Sequence, residues 1–112
     1  HALAPGDVMP LDLFCDLGHV LFSTEGNPKG LGDEALARIG RERNVAMTLP
    51  VFSGVYRAVA GSDLIALLPS ALAHRIAESA NLNVFEPPIP VDPARLVLIG
   101  TVGFLTVRRT FG

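Results

Sequence analysis

Short apolar runs and amphipathic stretches alternate along this chain, and proline or glycine stands at nearly every boundary between them. The apolar runs are His19–Ser23 (HVLFS), Val45–Leu49 (VAMTL), Leu64–Leu68 (LIALL), Leu82–Phe85 (LNVF) and Leu96–Ile99 (LVLI). Each is short and rich in Val, Ile and Leu, which reads as a strand buried on both faces. Helical stretches separate them. Leu11–Leu17 opens the series, Gly32–Arg43 has Leu36 and Ile39 on one face, Phe52–Ala60 turns Val55, Tyr56 and Val59 inward, and Ser70 to about Ala80 carries Leu72, Ile76 and Ala80 on one side. The order is α-β-α-β-α-β-α-β, a linker, then β. Strands alternating with helices make an α/β fold with a mostly parallel sheet flanked by helices.

The boundaries carry their own chemistry. Gly18 is placed to end the first helix with a positive φ. Asp33 and Glu34 in the first turn of the Gly32–Arg43 helix, and Arg41 and Arg43 in its last, complement the helix dipole. Pro50 and Pro69 stop two strands, and Ser70 is placed to cap the helix after the second. The connection Glu86–Pro87–Pro88–Ile89–Pro90, with Pro93 beyond, must run extended because proline fixes φ and has no N–H to donate.

Composition narrows the function. The chain has 112 residues, one small domain or a piece of a larger one, with 49% apolar and 18% charged residues. Two readings of that apolar excess stay open: a well-packed core, or a surface that faces a missing partner segment. The net charge of −2 and the lack of a basic cluster make this chain alone a poor candidate for DNA binding through phosphates. The lone Cys15, in an apolar setting, reads as a small buried hydrophobe, and no disulfide or cysteine zinc site is available. No secretory leader is visible, and the run 96–107 is too short for a membrane span, which takes about 20 residues. No phosphate-binding loop, nucleophile elbow, zinc-protease motif or acid–base carboxylate pair occurs, so no catalytic residue, metal site or cofactor is expected.

Open α/β sheets bind ligands at the carboxyl ends of their strands, where helix N-termini converge. Three such junctions are present: Ser23–Thr24, Pro50–Val51–Phe52–Ser53 and Pro69–Ser70. Free N–H groups beside small hydroxyls suit a carboxylate. The competing reading is that Ser53 and Ser70 only cap their own helices. His19, beside apolar residues, reads either as a satisfied structural histidine or as a cleft residue. His74 lies on a polar helix face.

Several strings are together characteristic. These are His1–Ala4, Leu11–Phe14, His19–Ser23, the Gly30–Leu36 helix start, Val45–Pro50 followed by Phe52, and above all Gly61-Ser-Asp-Leu-Ile-Ala-Leu-Leu-Pro69. Over roughly residues 1–99 the chain resembles the effector-binding domain of bacterial LysR-type transcriptional regulators. That resemblance implies half of a type-2 periplasmic-binding-protein-like fold. Residues 1–10 would be a crossover segment, 11–86 the second effector-binding subdomain, and 87–112 the return crossover and strand into a first subdomain outside this chain.

It also implies a cytoplasmic homo-oligomer, a small-molecule effector that is a carboxylate or aromatic, and DNA contact only through a domain this chain lacks. The family's pocket residues carry over to His19, Ser23, Thr24, Phe52 and Ser53. Departures are Val51 where several aromatic-acid sensors have histidine, Ala2 in place of proline, and a tail from Gly100 to Gly112 that matches no family pattern. The alternative of a different class is a solute-binding protein of a transport system with the same fold. A small enzyme would need a reactive constellation that the sequence does not display.

Overall fold

The computed structural model describes residues 6–22, 32–92 and 94–101. Its elements follow the expected order: α1 (Leu11–Asp16), β1 (Gly18–Phe22), α2 (Asp33–Arg38), β2 (Asn44–Leu49), α3 (Phe52–Ala60), β3 (Ala66–Pro69), α4 (Ser70–Ala80), β4 (Asn83–Phe85) and β5 (Leu96–Gly100). β1 and β2 pair in parallel, while β5 lies between β3 and β4 and runs antiparallel to both. One bridge joins the two groups: the Val20 N–H donates to the Ile65 carbonyl at 2.9 Å, and the Ile65 N–H donates to the Gly18 carbonyl at 3.0 Å. The strands therefore run in the order β2-β1-β3-β5-β4, and β5 alone is reversed.

Alternation along the strands divides the core into two layers. Ile65, Leu67, Phe85 and Leu98 face α1 and α2, packing with Phe14, Leu17 and Leu36. Val20, Ala66, Leu68, Val97 and Ile99 face α3 and α4, packing with Val55, Val59, Ala73 and Ala77. A sheet covered on both faces needs strands that are apolar on both, which is why these runs are nearly continuous rather than alternating. The same two-sided pattern seats β5 in the middle of this sheet. Residues 96–100 thus contribute to this core.

Local departures from expectation have local causes. α2 is six residues long and ends at Arg38, because the chain turns at Gly40 with φ +72°. Ile39 consequently leaves the buried face and is 45% exposed. Arg41 and Arg43 lie beyond the helix and form ion pairs with Asp12 and Asp33 instead of capping it. Gly18 begins β1 rather than ending α1 with a positive φ, and Leu17 leaves the helix in extended conformation. Ser70 is the first residue of α4, not its cap; Pro69 holds the cap position and no side chain bonds the helix start.

Gly32 is where glycine is required. It has φ +82°, and a Cβ there would lie 2.5 Å from the Leu67 side chain and 3.0 Å from that of Ile89. Gly32→Ala should destabilise the chain by about 2 to 3 kcal/mol, from left-handed backbone strain plus core overlap. A urea unfolding midpoint unchanged from the parent would show that the backbone at 32 relaxes freely.

Candidate functional site

The carboxyl ends of the strands form one edge of the sheet. Phe22 closes β1, Leu49 closes β2 and leads through Pro50 and Val51 into α3, and Pro69 closes β3 at the start of α4. Phe22 and Phe52 meet there as stacked rings, 3.8 Å between centroids and 12° from parallel. Val51 is extended and exposed, so the chain enters α3 abruptly, and no side chain caps this helix. The first N–H groups of a helix have no partner within it. Here they open beside Ser53, whose side chain is exposed and bonds nothing in the helix start. The edge therefore offers an aromatic face held by a second ring, an exposed hydroxyl and backbone donors.

A groove of about 520 Å³ continues along this edge at the end of β3, lined by Pro69, Pro90, Val91, Asp92, Arg95 and Leu96. Its lining is apolar apart from the one acid and one base. Asp92 is occupied in part by its own turn, accepting the Ala94 N–H at 2.9 Å. The Arg95 carbonyl accepts the Ser70 N–H at 2.8 Å, which ties the proline-rich connection to the start of α4. Sequence reasoning missed Phe22 and this groove. The alternation in His19-Val-Leu-Phe carried the signal for Phe22, since it puts Phe22 on the same face as Val20, toward α3.

His19 stands apart from this edge. It occupies the second position of β1, near the strand's amino end, and is 0% exposed. Its Nε2 donates to the Phe14 carbonyl at 2.7 Å, and its ring packs edge-on against the Phe14 ring with centroids 4.7 Å apart. Burial pushes its pKa down from 6.5 to about 4; the bond to Phe14 opposes that shift, and nearby Arg43 lowers and Asp33 raises it by lesser amounts. Among the expected ligand residues, the structure brings Phe52 and Ser53 together and encloses His19 in the layer facing α1. Ser23 and Thr24 follow Phe22 directly but lie outside the described residues. Among the described residues, no group of three or more His, Cys, Asp or Glu is placed to hold a metal ion. No helix among them is long and apolar enough to cross a membrane.

This architecture is a mixed α/β unit of the periplasmic-binding-protein-like type. It superimposes on the regulatory domain of MexT, a transcriptional activator in Pseudomonas aeruginosa, with a TM-score of 0.68 and 30% identity, covering 85% of this chain and 48% of that one. A probable transcriptional regulator from the same organism matches with a TM-score of 0.69 and 25% identity, over 98% of this chain and 36% of that one. In sequence, the chain is 30% identical over 81 residues to the HTH-type transcriptional activator NahR of Pseudomonas putida, and 29% identical over 86 residues to Nodulation protein D 1 of Sinorhizobium fredii. The chain spans 27% of the length of each of these two relatives. No family model matches the chain.

The chain belongs to the LysR-type transcriptional regulators and corresponds to part of their regulatory, effector-binding domain. NahR, MexT and the second Pseudomonas aeruginosa protein are named as regulators of transcription.

Proposed function

We propose that this chain senses a small carboxylate or aromatic effector for a DNA-binding regulator, and that the effector binds at the carboxyl edge against Phe52 and Ser53. Ser23 and Thr24, next in the chain after Phe22, would complete the site. The observation that carries this reading is the Phe22–Phe52 stack at an uncapped helix start. One ring is held flat by another, beside donors suited to a carboxylate. His19, enclosed against Phe14, would serve as a structural residue rather than a ligand contact.

In the larger protein, residues 1–10 would be a crossover segment, 11–86 the second subdomain and 87–112 the return crossover and strand, which passes through this sheet as β5. DNA contact would belong to a domain outside this chain, in a cytoplasmic homo-oligomer. The effector acts by preferring one arrangement of that assembly over another. A solute-binding role on the same fold is the second reading, and the relatives' names as transcriptional regulators favour the first.

The test is an amide NMR titration of the chain with benzoate, salicylate and short aliphatic carboxylates. Shifts concentrated at Phe52, Ser53 and residues 23–24 are expected, and Phe52→Ala should weaken them at least tenfold. That variant should also cost about 1 to 3 kcal/mol, because it removes half of an aromatic pair and some burial. Shifts confined to the Pro90–Leu96 groove would move the site away from Phe52, and an unchanged affinity in Phe52→Ala would remove that residue from it.

A further inference from the structure

His19 and Arg43 share one face of the sheet. His19 lies opposite Val45 in the parallel β1–β2 ladder, and Arg43 precedes Val45 by two residues. Residues two apart on a strand point to the same side. Arg43, directly before β2, is near enough that its charge acts on the His19 ring. Both are enclosed: His19 is 0% exposed and the Arg43 side chain 1%. Each also keeps one buried polar atom with no hydrogen-bond partner among the described residues, Nδ1 of His19 and Nη1 of Arg43.

The two orphaned atoms are of opposite kind. The Phe14 carbonyl only accepts, so Nε2 of His19 carries the proton and Nδ1 of the neutral ring is a bare acceptor. Nε and Nη2 of Arg43 both donate to the Asp33 carboxylate, which leaves the N–H groups of Nη1 as donors without an acceptor. Buried polar groups are almost always satisfied, and one of each type on one face is a pattern a single small guest resolves. The ladder is also irregular at this level. Pairing shifts between His19 and Val20, with Ala46 as the additional residue of β2, which loosens the strands beside the pair.

We propose that one enclosed water molecule bridges His19 and Arg43, donating to Nδ1 and accepting from Nη1. The surroundings select a neutral guest with both functions. An anion would face the Nδ1 lone pair where the Arg43 charge is already matched by Asp33, a cation would face the guanidinium, and an apolar guest would satisfy neither atom. The water completes a polar link from the Phe14 carbonyl at α1, through His19 in β1 and Arg43 before β2, to Asp33 at the start of α2. β1 and α2 are the two elements that flank segment 23–31, so the link positions both anchors of that segment. It stands whether or not the segment takes part in effector binding.

The test is NMR on the ¹⁵N-labelled 112-residue chain. Cross-relaxation between a long-lived water and the Arg43 Nη1 hydrogens is expected. The His19 ¹⁵N shifts should show Nε2 protonated and Nδ1 hydrogen-bonded. Arg43→Lys keeps the charge but lacks Nη1, and should abolish the water contact and move Nδ1 to the shift of a free lone pair. A proton on Nδ1, a free Nδ1 lone pair in the parent, or no long-lived water at Nη1 would each overturn the proposal. The parent's spectra decide this alone if the variant does not fold.

Discussion

Asp33→Ala is expected to destabilise the chain by about 3 to 5 kcal/mol, a large part of the 5 to 15 kcal/mol that holds a typical domain together. The reason lies in the partner left behind. Arg43 donates through both Nε, at 2.9 Å, and Nη2 to the two Asp33 oxygens, and its side chain is 1% exposed. A guanidinium does not shed its proton, so removing Asp33 leaves a buried positive charge without its counter-ion. The intact pair itself is worth far less, because both charges gave up water to form it. The double variant Asp33→Ala/Arg43→Met should therefore recover most of the loss. Urea unfolding of the three proteins decides the matter. A single variant within about 1 kcal/mol of the parent would mean that Arg43 finds solvent when released.

The second large effect is acid sensitivity centred on His19. Burial holds its pKa near 4 in the folded chain against 6.5 when unfolded. The unfolded chain therefore takes up the proton first, and folding weakens as pH falls. The contribution from keeping His19 neutral is complete above about pH 6.5, declines between 6.5 and 4, and is gone below that. At about 1.4 kcal/mol per pH unit, the whole interval is worth about 3 kcal/mol. Unfolding free energies measured at pH 7.5, 6 and 4.5 should fall steeply in the parent and much less in His19→Leu. Arg43 and Asp33 are the charged groups that act on the ring, and both stay in place in His19→Leu, so the difference in slope between the two proteins reports on His19. Equal slopes in the two proteins would assign the acid response to other groups.

These two effects come from a part of the fold that the sequence displays poorly. The helices α3 and α4 and the five strand runs are legible because period and punctuation are local properties: Pro50 and Pro69 stop strands, and Val55 and Val59 repeat at helical spacing. Arg43 reads as a helix-terminal cation because nothing local reveals that the chain reverses at Gly40 and brings it back to Asp33. The position of His19 depends on strand register, which is fixed by pairing with distant residues such as Ile65 and Val45. The candidate site divides in the same way. Phe52 and Ser53 are readable from a strand running directly into a helix, whereas the Phe22 stack and the groove beneath Pro90 arise only when separate strands come side by side.

The central, reversed position of β5 also sets an order of assembly. β3 and β4 each form their ladder with β5 and not with each other, and β3 meets β1 at a single bridge, so neither strand has its ladder until residues 96–100 have arrived. On a ribosome, α4 and its two flanking strands would emerge with both inner edges unpaired and the apolar faces of Leu67, Leu68 and Phe85 uncovered. Pairing across such sequence separation is slow, because the loop must close before any contact rewards it. Nascent chains stalled short of residue 96 are thus the species most exposed to chaperones and to aggregation, and stable amide protection in β3 and β4 should appear together with that of β5.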